Sequence, residues 1–313
     1  MSQLLDATFV ESIPRFVAPI LLAAQGGALC HRAGVFNIAL EGMMLCGAFA
    51  AVAVSYALGS ALAGALAGAL AGALVGAVFA AASVWKRGDP IVVSIALNLL
   101  ASGATVFALR SLFGVKGAFD DPGIAALLRF DIPLLADLPY LGPLFENQTI
   151  LVWLTVPVTA ASWWLMFRHP LGLRLRGVGE HPEAARSLGV SVTGMRSGAL
   201  LACGALCGLA GAQLAIGAVS LFVEDMTAGR GWIAVVAVLL AGGHPLAVAA
   251  VAVLFGAVDS LSVRVQGLGA PQQLTEALPY VVTLAALVLT GLGRARRSRD
   301  RDRPAADQQS SGR

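Results

Sequence analysis

The polar residues of this sequence are few, and several stand in two short islands. The first, GVFNIALEGMM, carries Asn37 and Glu41 four residues apart; the second, FVEDMTAGRGW, carries Glu224, Asp225, Thr227 and Arg230. Amide, carboxylate, hydroxyl and guanidinium together supply hydrogen-bond donors and acceptors that can face a partner or a water-filled path. A helical spacing of four puts Asn37 and Glu41 on one face, where both can point into one interface. An ionisable group at the bilayer centre costs about 2.5–3.5 kcal/mol on insertion scales, so such groups usually face a partner or a water-filled path. Gly34, Gly42, Gly229 and Gly231 flank the islands and suit broken helices, whose freed backbone groups must find water or neighbours. Asn98, in SIALNLLASG, is a further pathway candidate, and Asp259, in GAVDSLSVR, is expected to pair with Arg264. Loops at the membrane surface would account for the same residue types, and the sequence leaves both readings open.

Other chemistry finds little support. His31, His169, His181 and His244 are scattered at the ends of apolar runs, with no pair at catalytic or metal spacing. Cys30, Cys46, Cys203 and Cys207 lie inside apolar runs without a Cys-x-x-Cys pair, and Cys203 and Cys207 share a helix face as small packing residues do. There is no GxxxxGK[ST] phosphate loop, so the chain does not hydrolyse ATP itself. The expectation is no catalytic residue, no metal ligand and no cofactor bound by this chain.

Lipid-soluble helices must position the islands. Of 313 residues 58% are hydrophobic and 12% charged, with a mean hydropathy of +0.80. Soluble domains carry about 25% charged residues, and a globular core of this size could not hide so much apolar surface. A spanning helix needs about 20 apolar residues. The candidate spans are 13–30, 37–57, 59–84, 90–112, 149–167, 198–220, 231–243, 245–263 and 275–292, the seventh short enough to be a half-span. The fold expected is an all-α polytopic transmembrane helical bundle of about 8–10 membrane segments. A membrane domain covers 1–293, with an external loop rich in Asp, Pro and Gly at 113–148 and a disordered charged tail at 294–313.

Lys and Arg set the orientation. Placing Lys86–Arg87, the basic segment Arg168 to Arg196 and the tail in the cytoplasm puts the N-terminus outside and the C-terminus inside. These clusters stand at the ends of spans, so nucleic acid is not an expected partner. The opening MSQLLDATFVESIPR lacks the basic-then-apolar form of a cleavable signal peptide. Each island follows a span with a Gln-Gly or Gly-x-Gln near its end (AQGGAL, AGAQLA), one span running out-to-in and the other in-to-out. That is the arrangement of an inverted repeat, which places a site near the midplane. Gly64, Gly68, Gly72 and Gly76 recur along one face of the third span, where tight static packing is expected.

The segment RHPLGLRLRGVGEHPEAARSLGVSVTGMR carries five arginines, two glutamates and two histidines between apolar runs. Pro182 suits a first helical position, Glu183 complements a helix N-terminus and Gly189 can end a helix, so a helix of about two turns is expected there. Ala184 and Ala185 leave one side nearly bare, and flanking arginines can set the register of such a helix in a groove on another protein.

Glu183-Ala184-Ala185-x-x-x-Gly189 resembles the EAA…G loop of the membrane subunits of bacterial ABC importers. The stretches AGVFNIALEGMMLCGAFAAV, IVVSIALNLLASG, GLRLRGVGEHPEAARSLGV, MTAGRGWIAVVAVLLAG and PQQLTEALPYVVTL occur in the order found in the permeases for simple sugars, branched-chain amino acids and nucleosides. The sequence looks most like a nucleoside importer permease over residues 13 to 290. It departs from the family at Ala39, where a NIGLEG pattern has Gly, and at GGHP, which replaces a more aromatic turn.

The resemblance implies a coupling loop over 168–197, with Glu183, Ala184, Ala185 and Gly189 on an ATPase and Arg174, Arg176 and Glu180 framing that surface. It implies ATP and magnesium on the partner ATPase subunits, a second and non-identical permease chain, an extracytoplasmic substrate-binding protein, and the bacterial cytoplasmic (inner) membrane. Asn37, Glu41, Asn98, Glu224 and the Thr227–Arg230 segment would line or support the path of a small polar solute, a nucleoside or a simple sugar. A secondary transporter driven by an ion gradient is the alternative. It would use Glu41 and Asp259 as ion sites and leaves the EAA-type loop unexplained.

Overall fold

The computed structural model describes residues 7–130, 144, 146–267, 281, 282 and 284. The helices are α1 (Ala7–Arg32), α2 (Leu40–Leu58), α3 (Ala61–Phe79, continued by a π-helical turn Ala80–Trp85), α4 (Pro90–Phe113), α5 (Ile150–Arg168), α6 (Pro170–Glu180), α7 (Pro182–Ser187), α8 (Val192–Ala212, continued by a π-helical stretch Gln213–Val219), α9 (Arg230–Leu240) and α10 (Pro245–Gly267). Four two-residue strands form two antiparallel pairs: β1 (Ala118–Phe119) with β4 (Phe222–Val223), and β2 (Arg129–Phe130) with β3 (Gln148–Thr149). Among the described residues seven helices are long and apolar enough to cross a membrane, and α9 is a shorter apolar helix. The chain is an all-α, multi-pass membrane bundle.

Local chemistry sets the helix ends. Asp89 caps α4, its Oδ1 accepting from the Ile91 and Val92 amides at 2.9 and 3.0 Å, with Pro90 in the first turn. Gly59 and Gly114 close α2 and α4 at φ of +61° and +69°. Three expected boundaries shift. The second span starts at Leu40 because Val35–Ile38 are not helical; the sixth starts at Val192, capped by Ser191, so the basic segment ends inside α8; and the seventh stops at Leu240. The expected span 275–292 and the tail 294–313 lie outside the described residues, apart from the helical residues 281, 282 and 284.

The centre of the bundle is held by glycine. A Cβ on Gly68 would stand 2.9 Å from the Gly47 carbonyl oxygen and 3.1 Å from that of Gly208. One on Gly72 would fall on the backbone of Gly204 and Gly208, and one on Gly76 on that of Leu200. Helices α2, α3 and α8 therefore meet backbone to backbone, as small residues allow in lipid. The opposite face of α3 turns Leu62, Leu66, Leu70 and Leu74 outward, which suits a hydrocarbon solvent.

The bundle has two distinguishable ends. At the basic end Arg32 Nε donates to the Gly243 carbonyl (3.1 Å), Arg196 Nε to that of Ala33 (3.2 Å), and Trp85 Nε1 to Ser197 Oγ (3.0 Å). At the opposite end Gln148 Nε2 donates to the Glu11 carbonyl (2.9 Å), and Phe49, Tyr56, Phe113, Phe119 and Phe222 form an aromatic cluster in which Phe113 and Phe119 stack at 4.0 Å.

Replacing Gly72 by Leu drives a side chain into two backbones, and overpacking of this kind costs about 1–3 kcal/mol or more. Membrane-fraction yield and the thermal midpoint in detergent are expected to fall for Gly72→Leu. Gly103→Ala, where a Cβ meets nothing within 4 Å, is expected to hold or raise both.

Candidate functional site

The first break, 33–39, lies between α1 and α2. It begins at Gly34, whose φ of +72° turns the chain. Asn37 is buried and folds its Oδ1 onto the Ala39 amide (2.8 Å), while its Nδ2 faces the sulfurs of Cys203 (3.4 Å), Cys30 and Met43 (both 3.9 Å). Helix α4 adds three further hydrogen bonds. Ser94 Oγ accepts from the Ile38 amide (3.2 Å), Asn98 Nδ2 donates to the Ile38 carbonyl (3.0 Å), and Asn98 Oδ1 accepts from the Gly42 amide (2.8 Å). At Ile38 and Gly42 the backbone freed by the break is thus satisfied by a neighbouring helix, as hydrocarbon demands.

The second break, 220–229, lies between α8 and α9. Ser220, Asp225 and Ala228 adopt positive φ (58°, 54° and 47°), which L side chains rarely do. The Glu224 amide donates to the Gly117 carbonyl (2.8 Å), its carboxylate accepts from the Gly117 amide (3.1 Å), and Arg110 stands 3.8 Å away. Asp225 Oδ1 accepts from Ser102 Oγ in the middle of α4 (2.8 Å). The segment therefore runs inward from the opposite end, while the first break runs inward from the basic end.

The two breaks meet at Glu41. Its Oε1 accepts from the Gly229 amide at 2.8 Å and its Oε2 from the Gly231 amide at 2.6 Å. A Cβ on Gly231 would stand 2.5 Å from the Glu41 amide nitrogen, so only glycine permits this approach. Glu41 lies in the first turn of α2 and at the N-terminus of α9, so one carboxylate faces the positive ends of two helix dipoles. Hydrogen bonds to a charged group contribute about 1.5–3 kcal/mol each.

Beside this clasp Arg230 Nε donates to Asp259 Oδ2 at 2.9 Å, and its guanidinium lies 6.0 Å from the Phe16 ring centroid. This corrects the expected partner of Asp259: the bond is to Arg230, on a different helix. Positions 259 and 264 are five apart on α10, roughly 140° around the helix at 3.6 residues per turn.

The six pathway candidates thus divide. Asn37, Asn98 and Glu41 form one network around the breaks, Arg230 lies beside it with Asp259, Thr227 is buried in the second break, and Glu224 stands near the opposite end. Sequence reasoning missed Ser94 and Ser102. With Asn98 and Thr105 they make a polar stripe at spacings of four, four and three along α4, a signal that was readable.

The basic segment is mostly helical. Pro182 takes the first position of α7 after His181, and Gly189 follows it at φ +79°. Glu183 and Arg186 pair at 3.1 Å on the surface, where Arg174, Glu180, Ala184 and Gly189 are also exposed. Ala185 turns inward against Val178 and Val192, and Arg176 lays its guanidinium 5.0 Å from the Phe167 ring centroid. Helix α6 touches the first break directly: a Cβ on Gly34 would stand 3.0 Å from the Gly179 Cα.

Residues 9–287 match the family described as branched-chain amino acid transport system / permease component. The guanosine ABC transporter permease protein NupQ of Bacillus subtilis is 35% identical over 94% of this chain and 93% of its own length. The nucleoside ABC transporter permease protein NupC of Lactococcus lactis is 33% identical over 90% of each chain. The glucose ABC transporter permease protein TsgB13 of Haloferax volcanii is 29% identical over 85% of this chain and 72% of its own. No solved structure matches the chain.

Removing the Glu41 carboxylate strands two amides inside the bundle. Glu41→Ala is expected to lower unfolding stability in detergent by about 2–4 kcal/mol, and Glu41→Gln by about half of that, since an amide oxygen serves fewer donors. In the Arg230–Asp259 pair, Arg230→Met and Asp259→Leu are each expected to destabilise more than the double variant, because a single change leaves one charge unpaired. A double-mutant cycle on thermal midpoints measures both effects.

Proposed function

We propose a function from one premise: this chain belongs to the family of branched-chain amino acid transport permease components. It is a permease subunit of an ABC importer, a transporter and not an enzyme. Its solute is a nucleoside, as the printed activities of NupQ and NupC indicate, with a simple sugar second. ATP and magnesium are held by separate ATPase subunits, an external binding protein delivers the solute, and a second, non-identical permease chain completes the path.

The basic end faces the cytoplasm, following the positive-inside rule. The N-terminus is then outside and the C-terminus inside. The exposed face of α7, with Glu183, Ala184 and Gly189, seats in the ATPase, and Arg174 and Glu180 border the contact. Ala185 and Arg176 support this face from within.

The observation that carries this reading is a continuous mechanical route. Helix α7 follows α6; Gly179 of α6 packs against Gly34; Arg196 holds the Ala33 carbonyl at 3.2 Å; and the first break leads to Glu41 and its grip on α9. A displacement of α7 by the ATPase is thereby passed to the two broken helices, whose rocking alternates access. Asn37, Asn98 and Glu41 support the path by holding its backbone, and Arg230 and Thr227 lie beside it. Glu41 and Asp259, the carboxylates an ion-coupled carrier would need, are both engaged by protein donors.

Vesicles holding the chain with its ATPase, second permease and binding protein are expected to accumulate nucleoside only when ATP is supplied. Glu183→Arg is expected to abolish uptake and release the ATPase. A cysteine at position 187, Ser187→Cys, is expected to react with impermeant thiol reagents only from the cytoplasmic side. Uptake driven by an ion gradient without ATP, or labelling of Ser187→Cys in intact cells, would sink this reading.

A further inference from the structure

Between α1, the π-helical end of α8 and the second break lies a cavity of about 300 Å³, bordered by Ser12, Arg15, Phe16, Leu214, Met226 and Arg230 among others. We propose that it is the chamber in which an uncharged solute with a flat, hydrogen-bonding ring rests before transport; this rests on the importer reading above.

Three observations converge on that ligand class. The first is size: small-molecule sites begin at about 300 Å³. A second cavity of about 250 Å³, between α1, α5, α6 and α8, is lined only by Leu, Gly, Ala and Met, and so offers no side-chain donor or acceptor to a polar solute.

The second is charge. The two cations at the chamber are each matched by one carboxylate, Arg15 by Glu11 at 2.6 Å and Arg230 by Asp259 at 2.9 Å. Among the described residues the wall is therefore neutral overall. An anionic ligand therefore finds no uncompensated positive charge among these residues, whereas a neutral ligand needs none. Arg15 also keeps a buried Nε with no hydrogen-bond partner among the described residues. An unpaired buried donor is costly, and a carbonyl or ring nitrogen would satisfy it.

The third is shape. Phe16 offers a flat, half-buried ring to the cavity that Met226 also lines, and every nucleobase has a π-face to stack on such a ring. Leu214, Ala218 and Val219 come from the π-helical stretch, an irregularity that is frequent at functional sites.

The position also fits. On the basic-end side of the Glu41 clasp, the gap between the first break and α9 near His31, Val35, Asn37 and Val238 holds only about 10 Å³. The described conformation therefore has more room in the chamber than in this gap beside the clasp.

The test uses Met226→Cys in a chain also carrying Cys46→Ala; Cys30, Cys203 and Cys207 are buried. The chain is assembled with all partner subunits in vesicles and labelled with a methanethiosulfonate. Guanosine and adenosine are expected to slow labelling, and glucose and guanosine monophosphate to leave it unchanged. Phe16→Leu is expected to raise the protecting nucleoside concentration about tenfold, the scale of one lost base stack, and Phe16→Tyr to restore protection. Protection by the nucleotide as strong as by the nucleoside overturns the charge argument, and protection by glucose alone overturns the flat-ring assignment. Nucleoside uptake without protection overturns the chamber and leaves the importer standing. Protection without ATP-dependent uptake supports the chamber and overturns the importer.

Discussion

Hydrocarbon cannot solvate a backbone amide, and this structure is organised around that constraint. Two helices are interrupted inside the bundle, and each interruption frees polar groups that lipid would leave unpaired. Ser94 and Asn98 of α4 satisfy the first break, and Glu41, at the start of the helix that follows it, satisfies two amides at the end of the second. The carboxylate is itself stabilised by the arrangement it completes, because two helix N-termini point at it. Neither group would be tolerable alone: the amides need an acceptor and the charge needs donors.

A clasp of this kind is useful only beside a scaffold that does not yield. The glycine contacts among α2, α3 and α8 provide it. Their backbones lie too close for any side chain larger than hydrogen, so sliding one helix past another would bring Cβ atoms of neighbouring residues into carbonyls. The contacts around the breaks are different in kind: single hydrogen bonds, positive φ at non-glycine residues and short segments. Rigid packing on one side and replaceable hydrogen bonds on the other is a reasonable division for a protein that must move a few helices without unfolding.

The same division links the basic segment to the interior. It folds into two helices rather than a loop, and its contact with the first break runs through Gly34, Gly179 and the Ala33 carbonyl. A displacement there would act on a segment already freed from helical hydrogen bonding. Farther in, Glu41 grips the half-helix α9, which is only 11 residues long.

Composition alone determined that this chain dissolves in lipid, since no core could hide its apolar residues. Helix existence, the glycine face of α3, the ends of α7 and the shortness of the seventh segment were also legible, because each depends on residues close in sequence. The islands were identifiable as sites of interest because ionisable groups are expensive in lipid. What they do was decided only in three dimensions. Asn37 and Glu41 were expected on one helical face, but the helix starts after Asn37, so the amide caps the break while the carboxylate crosses to α9. Asp259 was assigned a neighbour on its own helix and found Arg230 on another. Pairings between residues as far apart as 41 and 231 depend on which helices pack together, and that is set by the summed fit of whole faces, which no local pattern encodes.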